Sequence, residues 1–137
     1  KTKFNNIKFS QASVNANIVI ENFDVRTPGN ETLPLALSGG NQQKFVVGRE
    51  IENKPSLLIA SQPTRGIDIG AQSLIWNKLR DARDEGLGVL LISADLDELI
   101  GLSDRIFVIY QGNIVKDLDP EDATPEILGS YMTGLKT

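Results

Sequence analysis

Leu37-Ser38-Gly39-Gly40-Asn41-Gln42-Gln43-Lys44 is the stretch in which residue type, spacing and helix position point at one chemistry. A serine can cap a helix by offering its hydroxyl oxygen to the first free N–H groups. The two glycines after it carry no Cβ to hold a ligand or another backbone at a distance. Beyond them Phe45-Val46-Val47-Gly48-Arg49-Glu50-Ile51 has the pattern of an amphipathic helix, which puts Ser38, Gly39 and Gly40 at the positive end of its dipole. Exposed amides at that end make an anion site, with phosphate the best-fitting occupant. A lone Ser-Gly-Gly reads equally well as a capped surface helix that happens to contain glycines, so the rest of the chain has to decide.

Downstream, Asn53-Lys54-Pro55 breaks the helical pattern and Leu57-Leu58-Ile59-Ala60 follows as a continuous apolar run, bounded by Pro63. Such a run predicts a strand buried on both faces. Asp68 is placed to cap a long helix with Ala71, Leu74, Ile75, Leu79 and Ala82 at helical spacing and Gly86 as its stop. Val89-Leu90-Leu91-Ile92 reads as a second buried strand. Asp95 opens a short helix with Asp97 and Glu98 in its first turn and Leu96, Leu99 and Ile100 facing inward. Ile106 to Tyr110 and Ile114 to Leu118 flank Gln111-Gly112-Asn113, an antiparallel hairpin signal, and Thr124-Pro125 starts a last helix that runs to about Thr133 and stops at Gly134.

Upstream, Asp24 to Ala36 contains Pro28, Gly29, Asn30 and Pro34 and predicts an irregular connection. Ser13 is placed to cap a short helix in which Val14, Ile18 and Val19 face one way, ending near Asn22 to Phe23. Residues 1 to about 12 are polar, without a period, and read as a loop or tail. The order helix, strand, helix, strand, helix, hairpin, helix is that of an α/β domain whose buried strands run parallel.

With 137 residues, 40% of them apolar and 23% charged, the chain can bury a core and fold as one compact domain. Lys and Arg total 14 against 18 Asp and Glu, a net charge of −4 with no basic run, which argues against nucleic acid and against direct membrane insertion. The absence of cysteine removes any disulfide framework. The absence of histidine excludes a Ser-His or Cys-His pair and leaves only carboxylates for a conventional metal site. With no long apolar run and no apolar core in the first ten residues, the reading is cytoplasmic; with no initiating methionine, it is that of a segment of a longer chain.

Leu-Ser-Gly-Gly-Asn-Gln-Gln-Lys resembles the signature motif of ABC-type ATPases, in the Asn-Gln-Gln-Lys form typical of importers of monosaccharides and nucleosides. The resemblance implies that Leu37, Ser38, Gly39, Gly40, Asn41 and Gln42 close over the γ-phosphate of ATP held by an opposing domain. Leu57 to Thr64 lies where this family carries its Walker B strand, which ends in Asp then Glu before Pro-Thr. This chain departs from the pattern, with Ser61 at the position of the magnesium-binding aspartate and Gln62 at that of the catalytic glutamate. Neither can bear the charge: Ser61 can still orient a metal-bound water, and Gln62 can hydrogen-bond a water without taking its proton. Arg65-Gly66-Ile67-Asp68 resembles the D-loop, with Asp68 at the position that meets the opposite domain. The switch histidine falls at Ala94 and is lost.

No Gly-x-x-x-x-Gly-Lys-Ser/Thr occurs, so the Walker A cradle is missing, as is the glutamine loop. The resemblance runs from about Val25 to Met132 and covers only the second half of such a domain. It implies an α/β fold, a partial P-loop NTPase domain of the ABC type with a mainly parallel sheet, a C-terminal hairpin and flanking helices. Residues 1–54 would end the helical subdomain and carry the signature; residues 55–137 would be the C-terminal part of the core. The sheet would be incomplete, with an edge or face bare. The resemblance further implies ATP and Mg2+ as cofactors of the full-length protein, neither expected on this segment alone. Its implied partners are a second ABC domain in the same full-length chain and a transmembrane permease, at the inner face of the plasma membrane. Leu-Leu-Ile-Ala-Ser-Gln-Pro-Thr-Arg-Gly and Leu-Ile-Ser-Ala-Asp-Leu-Asp-Glu-Leu look closest to nucleoside importers, with ribose or galactose importers as the runner-up. A soluble, non-transport ABC module and an inert α/β interaction domain with a worn nucleotide site are the rivals from other classes.

Overall fold

A computed structural model describes residues 9–136 as an α/β structure in two compact units. The first is formed by residues 9–58 together with Pro63–Gly88, the second by Ile59–Gln62 together with residues 89–136. In chain order the elements are α1 (Phe9–Asn22), α2 (Gly39–Glu52), β1 (Leu57–Ser61), α3 (Ile69–Asp84), β2 (Gly88–Ile92), α4 (Leu96–Leu102), β3 (Ile106–Tyr110), β4 (Asn113–Leu118) and α5 (Pro125–Met132), with 3₁₀ turns at Pro34–Ala36 and Pro120–Asp122.

In the first unit α2 packs on α1 and on α3. Gly48 permits the first contact: a Cβ there would lie 2.7 Å from the Phe23 ring and 2.8 Å from Val19 Cγ1, so the two helices touch where α2 has no side chain. Val19, Phe23, Val47, Ile75 and Leu79 are buried. The expected face of α1 is corrected. Val14 and Ile18 are exposed while Val19 is buried, because Val19 and Phe23, one helical turn apart, define the stripe facing α2. The helix also starts at Phe9, so residues 9–12 are helical rather than loop; the rest of the expected tail lies outside the described residues. Asp68 caps α3, and the helix closes with the Gly86 amide on the Arg83 carbonyl and the Leu87 amide on that of Ala82, Gly86 having φ +100°.

In the second unit β3 and β4 pair antiparallel, with Ile106 opposite Leu118 and Tyr110 opposite Asn113. The turn is two residues, Gln111 (φ +47°) and Gly112 (φ +78°), both left-handed as a type I′ turn requires, so Asn113 belongs to the strand rather than to the turn. Ile106, Val108, Ala123 and Leu128 form the core, with Leu96, Ile100, Val115, Leu118 and Tyr131 packed against it. Asp95 accepts from the Asp97 and Glu98 amides at the head of α4, and Thr124 from the Ile127 amide at the head of α5. Glu98 is itself buried, although a first-turn acid is ordinarily solvated.

Strands β1 and β2 form a two-stranded sheet. Hydrogen bonds from Gly88 to Ser56 and from Gln62 to Ile92 ascend both strands together, which makes the pair parallel. The expectation of burial on both faces is overturned: Leu57, Ile59, Leu90 and Ile92 are 58%, 60%, 49% and 49% exposed, whereas Ala60 is buried. A strand is doubly buried only when layers lie on both sides, and among the described residues one face of this pair is bare.

Candidate functional site

The expected site residues fall in two places. In the first unit Ser38 has extended backbone (φ −62°, ψ 155°) and caps α2, its carbonyl accepting from the Gln42 amide at 2.9 Å. Its Oγ accepts from the Asn41 amide at 3.4 Å and from Asn41 Nδ2 at 2.9 Å. Asn41 Oδ1 accepts in turn from the Arg26 amide at 2.9 Å, and Gln42 Nε2 donates to the Leu37 carbonyl at 2.9 Å. Leu37 and Gln42 thus fix the approach of the chain to the helix. Gly39 and Gly40 form the first turn, whose amides have no partner inside the helix.

The two glycines differ. Gly39 is exposed and a Cβ on it would meet nothing within 4 Å; one on Gly40 would lie 3.1 Å from Asp68 Oδ2 and 3.2 Å from Ala71 Cβ. Gly40 therefore admits the head of α3, and Asp68 stands beside the signature turn. Asp68 Oδ1 accepts from the Ala71 amide at 2.9 Å. That bond foremost holds its carboxyl below the usual range; some loss of hydration opposes it, and the amides of Asp68 and Gly70 and the charge of Lys44 add to the lowering. Each cap places acceptors at its own helix head, and the surface that remains free for an anion is the open side at Gly39.

Sequence reasoning did not single out Lys44 as a structural residue. It is 8% exposed, and its Nζ donates to the Asp24 carbonyl at 2.9 Å and to Asp24 Oδ2 at 3.3 Å. The signal was present, since Lys44, Val47, Gly48 and Ile51 lie at i, i+3, i+4 and i+7 on the inward stripe of α2.

In the second unit Ser61 is the exposed last residue of β1, and Gln62 follows in a left-handed conformation (φ +51°) with its amide on the Ile92 carbonyl at 2.7 Å. Ser93 and exposed Ala94 continue from Ile92, and Ser93 Oγ accepts from the Asp95 amide at 3.0 Å. Ser61, Gln62 and Ala94 therefore share the C-terminal end of one parallel pair, the end at which open α/β sheets bind ligands. The side chains at these three positions are uncharged. With a hydroxyl, a carboxamide and a methyl, these positions do not fit a resident magnesium ion, and no group of three or more His, Cys, Asp or Glu side chains able to hold a metal occurs among the described residues. Nor is any helix among the described residues long and apolar enough to cross a membrane.

The architecture is that of an ABC-type ATPase domain. It superimposes on the dimeric post-hydrolysis structure of the ATP-binding cassette MJ0796 bound to ADP and Pi, with a TM-score of 0.71 at 20% identity over 86% of this chain and 51% of that one. It also superimposes on a putative metal-chelate type ABC transporter in an inward-facing conformation, with a TM-score of 0.77 at 16% identity over 97% of this chain and 52% of that one. No protein-family model matches the chain. In sequence it is 50% identical over 119 residues to the guanosine import ATP-binding protein NupO of Bacillus subtilis, covering 87% of this chain and 23% of NupO. It is 48% identical over 130 residues to the glucose import ATP-binding protein TsgD13 of Haloferax volcanii, covering 93% of this chain and 24% of that protein. To the nucleoside import ATP-binding protein NupA of Lactococcus lactis it is 46% identical over 133 residues, covering 97% of this chain and 26% of NupA. The chain belongs to the ABC transporter ATP-binding proteins, and it spans about a quarter of the length of these curated relatives.

Proposed function

We propose that this chain is the C-terminal part of the second ATP-binding domain of a tandem importer ATPase, and that it lends its signature turn to ATP held by the partner domain. The carrying observation is the pairing of an intact signature with uncharged strand-end positions: Ser38 caps a helix whose Gly39 is exposed with open space beside it, while Ser61, Gln62 and Ala94 offer no charge. Open amides and a serine hydroxyl at a helix head favour the developing negative charge of a transferring γ-phosphate. At the other site, Gln62 can hold a water but not deprotonate it, so that site binds nucleotide without hydrolysing it efficiently. The parent works at the cytoplasmic face of the membrane beside permease subunits, with nucleosides or simple sugars as cargo. Relatives named for guanosine and nucleoside import at 50% and 46% identity bracket one named for glucose import at 48%, which supports both cargo classes.

The test is substrate uptake in cells carrying mutant parent proteins at matched expression. Gly39→Asp puts bulk and negative charge where an amide should meet phosphate, and uptake should fall about 100-fold or more. Gln62→Ala should leave uptake within about threefold, because such a site has little transition-state stabilisation to lose. Equal damage from both would mean that the Gln62 site is catalytically competent and that the two sites are not asymmetric.

A further inference from the structure

The signature turn contains a hydrogen-bond relay that reaches back to the segment after α1. The Arg26 amide donates to Asn41 Oδ1 at 2.9 Å, and this backbone donor fixes which way round the side-chain amide lies. Nδ2 must then face Ser38, and it donates to Oγ at 2.9 Å; the Asn41 backbone amide reaches the same oxygen at 3.4 Å. A serine hydroxyl has two lone pairs and one proton. Asn41 occupies both lone pairs, Ser38 is exposed, and among the described residues no acceptor takes its proton.

We propose that Asn41 is a positioning residue for Ser38: by engaging the lone pairs it leaves the hydroxyl proton as the only free function of that side chain and aims it outward, as a donor to a phosphate oxygen. The inference rests on the reading that the signature closes over a γ-phosphate. The segment bearing the Arg26 amide is itself tied to α2 a second time, since Lys44 Nζ holds the carbonyl and carboxylate of Asp24, a residue in the left-handed region (φ +47°). Asp24 and Arg26 are thus both pinned to α2, by Lys44 and Asn41, and Asn41 keeps its orientation as long as they are. Without Asn41 the hydroxyl retains only ordinary cap geometry and is free to rotate.

A double-mutant cycle in the full-length importer ATPase, assembled with its permease, tests this through ATP turnover. Ser38→Ala should lower kcat about 100-fold by deleting the donor. Asn41→Leu, of similar size but without hydrogen-bonding capacity, should lower kcat about tenfold while leaving KM for ATP within about twofold. In the Ser38→Ala background Asn41→Leu should cost nothing further, because it acts through a hydroxyl that is gone. The same tenfold loss in both backgrounds, or no loss when Ser38 is present, would overturn the proposal while leaving the signature reading intact. Full activity in Ser38→Ala would overturn the signature reading itself, and the relay with it. If Asn41→Leu does not fold, Asn41→Ala replaces it in the same cycle with the same outcomes.

Discussion

At the scale of single residues the informative comparison is between Gly39 and Gly40, adjacent and identical in type but constrained by different things. A methyl on Gly39 projects into open space; a methyl on Gly40 would press on Asp68 Oδ2 at 3.1 Å and Ala71 Cβ at 3.2 Å. The carboxylate cannot simply swing away, because its other oxygen is committed to the Ala71 amide. Gly40→Ala should therefore be less stable than Gly39→Ala by about 1 kcal/mol, the lower end of overpacking costs, although both substitutions replace glycine in the same helical turn. Urea denaturation of the two variants makes the comparison, and coincident midpoints would mean that the α2–α3 contact yields freely. From sequence alone the glycines were indistinguishable, since what separates them is Asp68, 28 positions away from Gly40.

Elements were legible where their ends carry local chemistry. Ser38, Asp68, Asp95 and Thr124 each cap a helix, Gly86 and Gly134 each take the left-handed stop, and Gln111-Gly112 makes the hairpin turn, all interactions within a few residues of chain. Where the deciding contact is distant, the reading failed. The buried face of α1 is chosen by α2 through Gly48, and the exposure of β1 and β2 depends on whether anything lies over them. The candidate site divides in the same way: Ser61, Gln62 and Ala94 could be placed from the strand pattern, but the convergence of Asp68 on the signature turn could not. At this scale the α3 cap predicts a pH dependence. In the folded state the Asp68 carboxyl is held below its ordinary, unfolded-state value of 3.8, chiefly by the Ala71 amide. Its contribution is thus present above that unfolded value and is lost as pH falls through the folded one. Asp68→Asn keeps a cap oxygen but does not titrate, so the stability difference between parent and variant should be constant above about pH 5 and change as acid protonates Asp68. A difference that drifts between pH 6 and 8 instead would assign the dependence to another group.

For the molecule as a whole, the question is where apolar burial supplies stability, and the second unit contains both extremes. Leu128 is 1% exposed in the cluster with Ile106, Val108 and Ala123, whereas Ile59 is 60% exposed on the bare face of β1. Truncating a core leucine removes transferred surface and leaves a cavity, so Leu128→Ala should cost about 2–5 kcal/mol. Ile59→Thr keeps a β-branched strand residue and surrenders little buried area, so it should cost less than about 1 kcal/mol. The comparison bears on function, because an apolar face left open on a two-stranded parallel sheet is surface that a larger fold would bury. Fluorescence- or circular-dichroism-detected denaturation of this chain supplies both numbers. If Ile59→Thr proved as costly as Leu128→Ala, the face would be covered in solution and the doubly buried strand expected from Leu57-Leu58-Ile59-Ala60 would be right after all. If the costs separate as argued, the open face is a property of the folded chain itself, and the same Ile59→Thr change should become markedly more costly in the longer parent proposed above if that parent lays a second layer on this face.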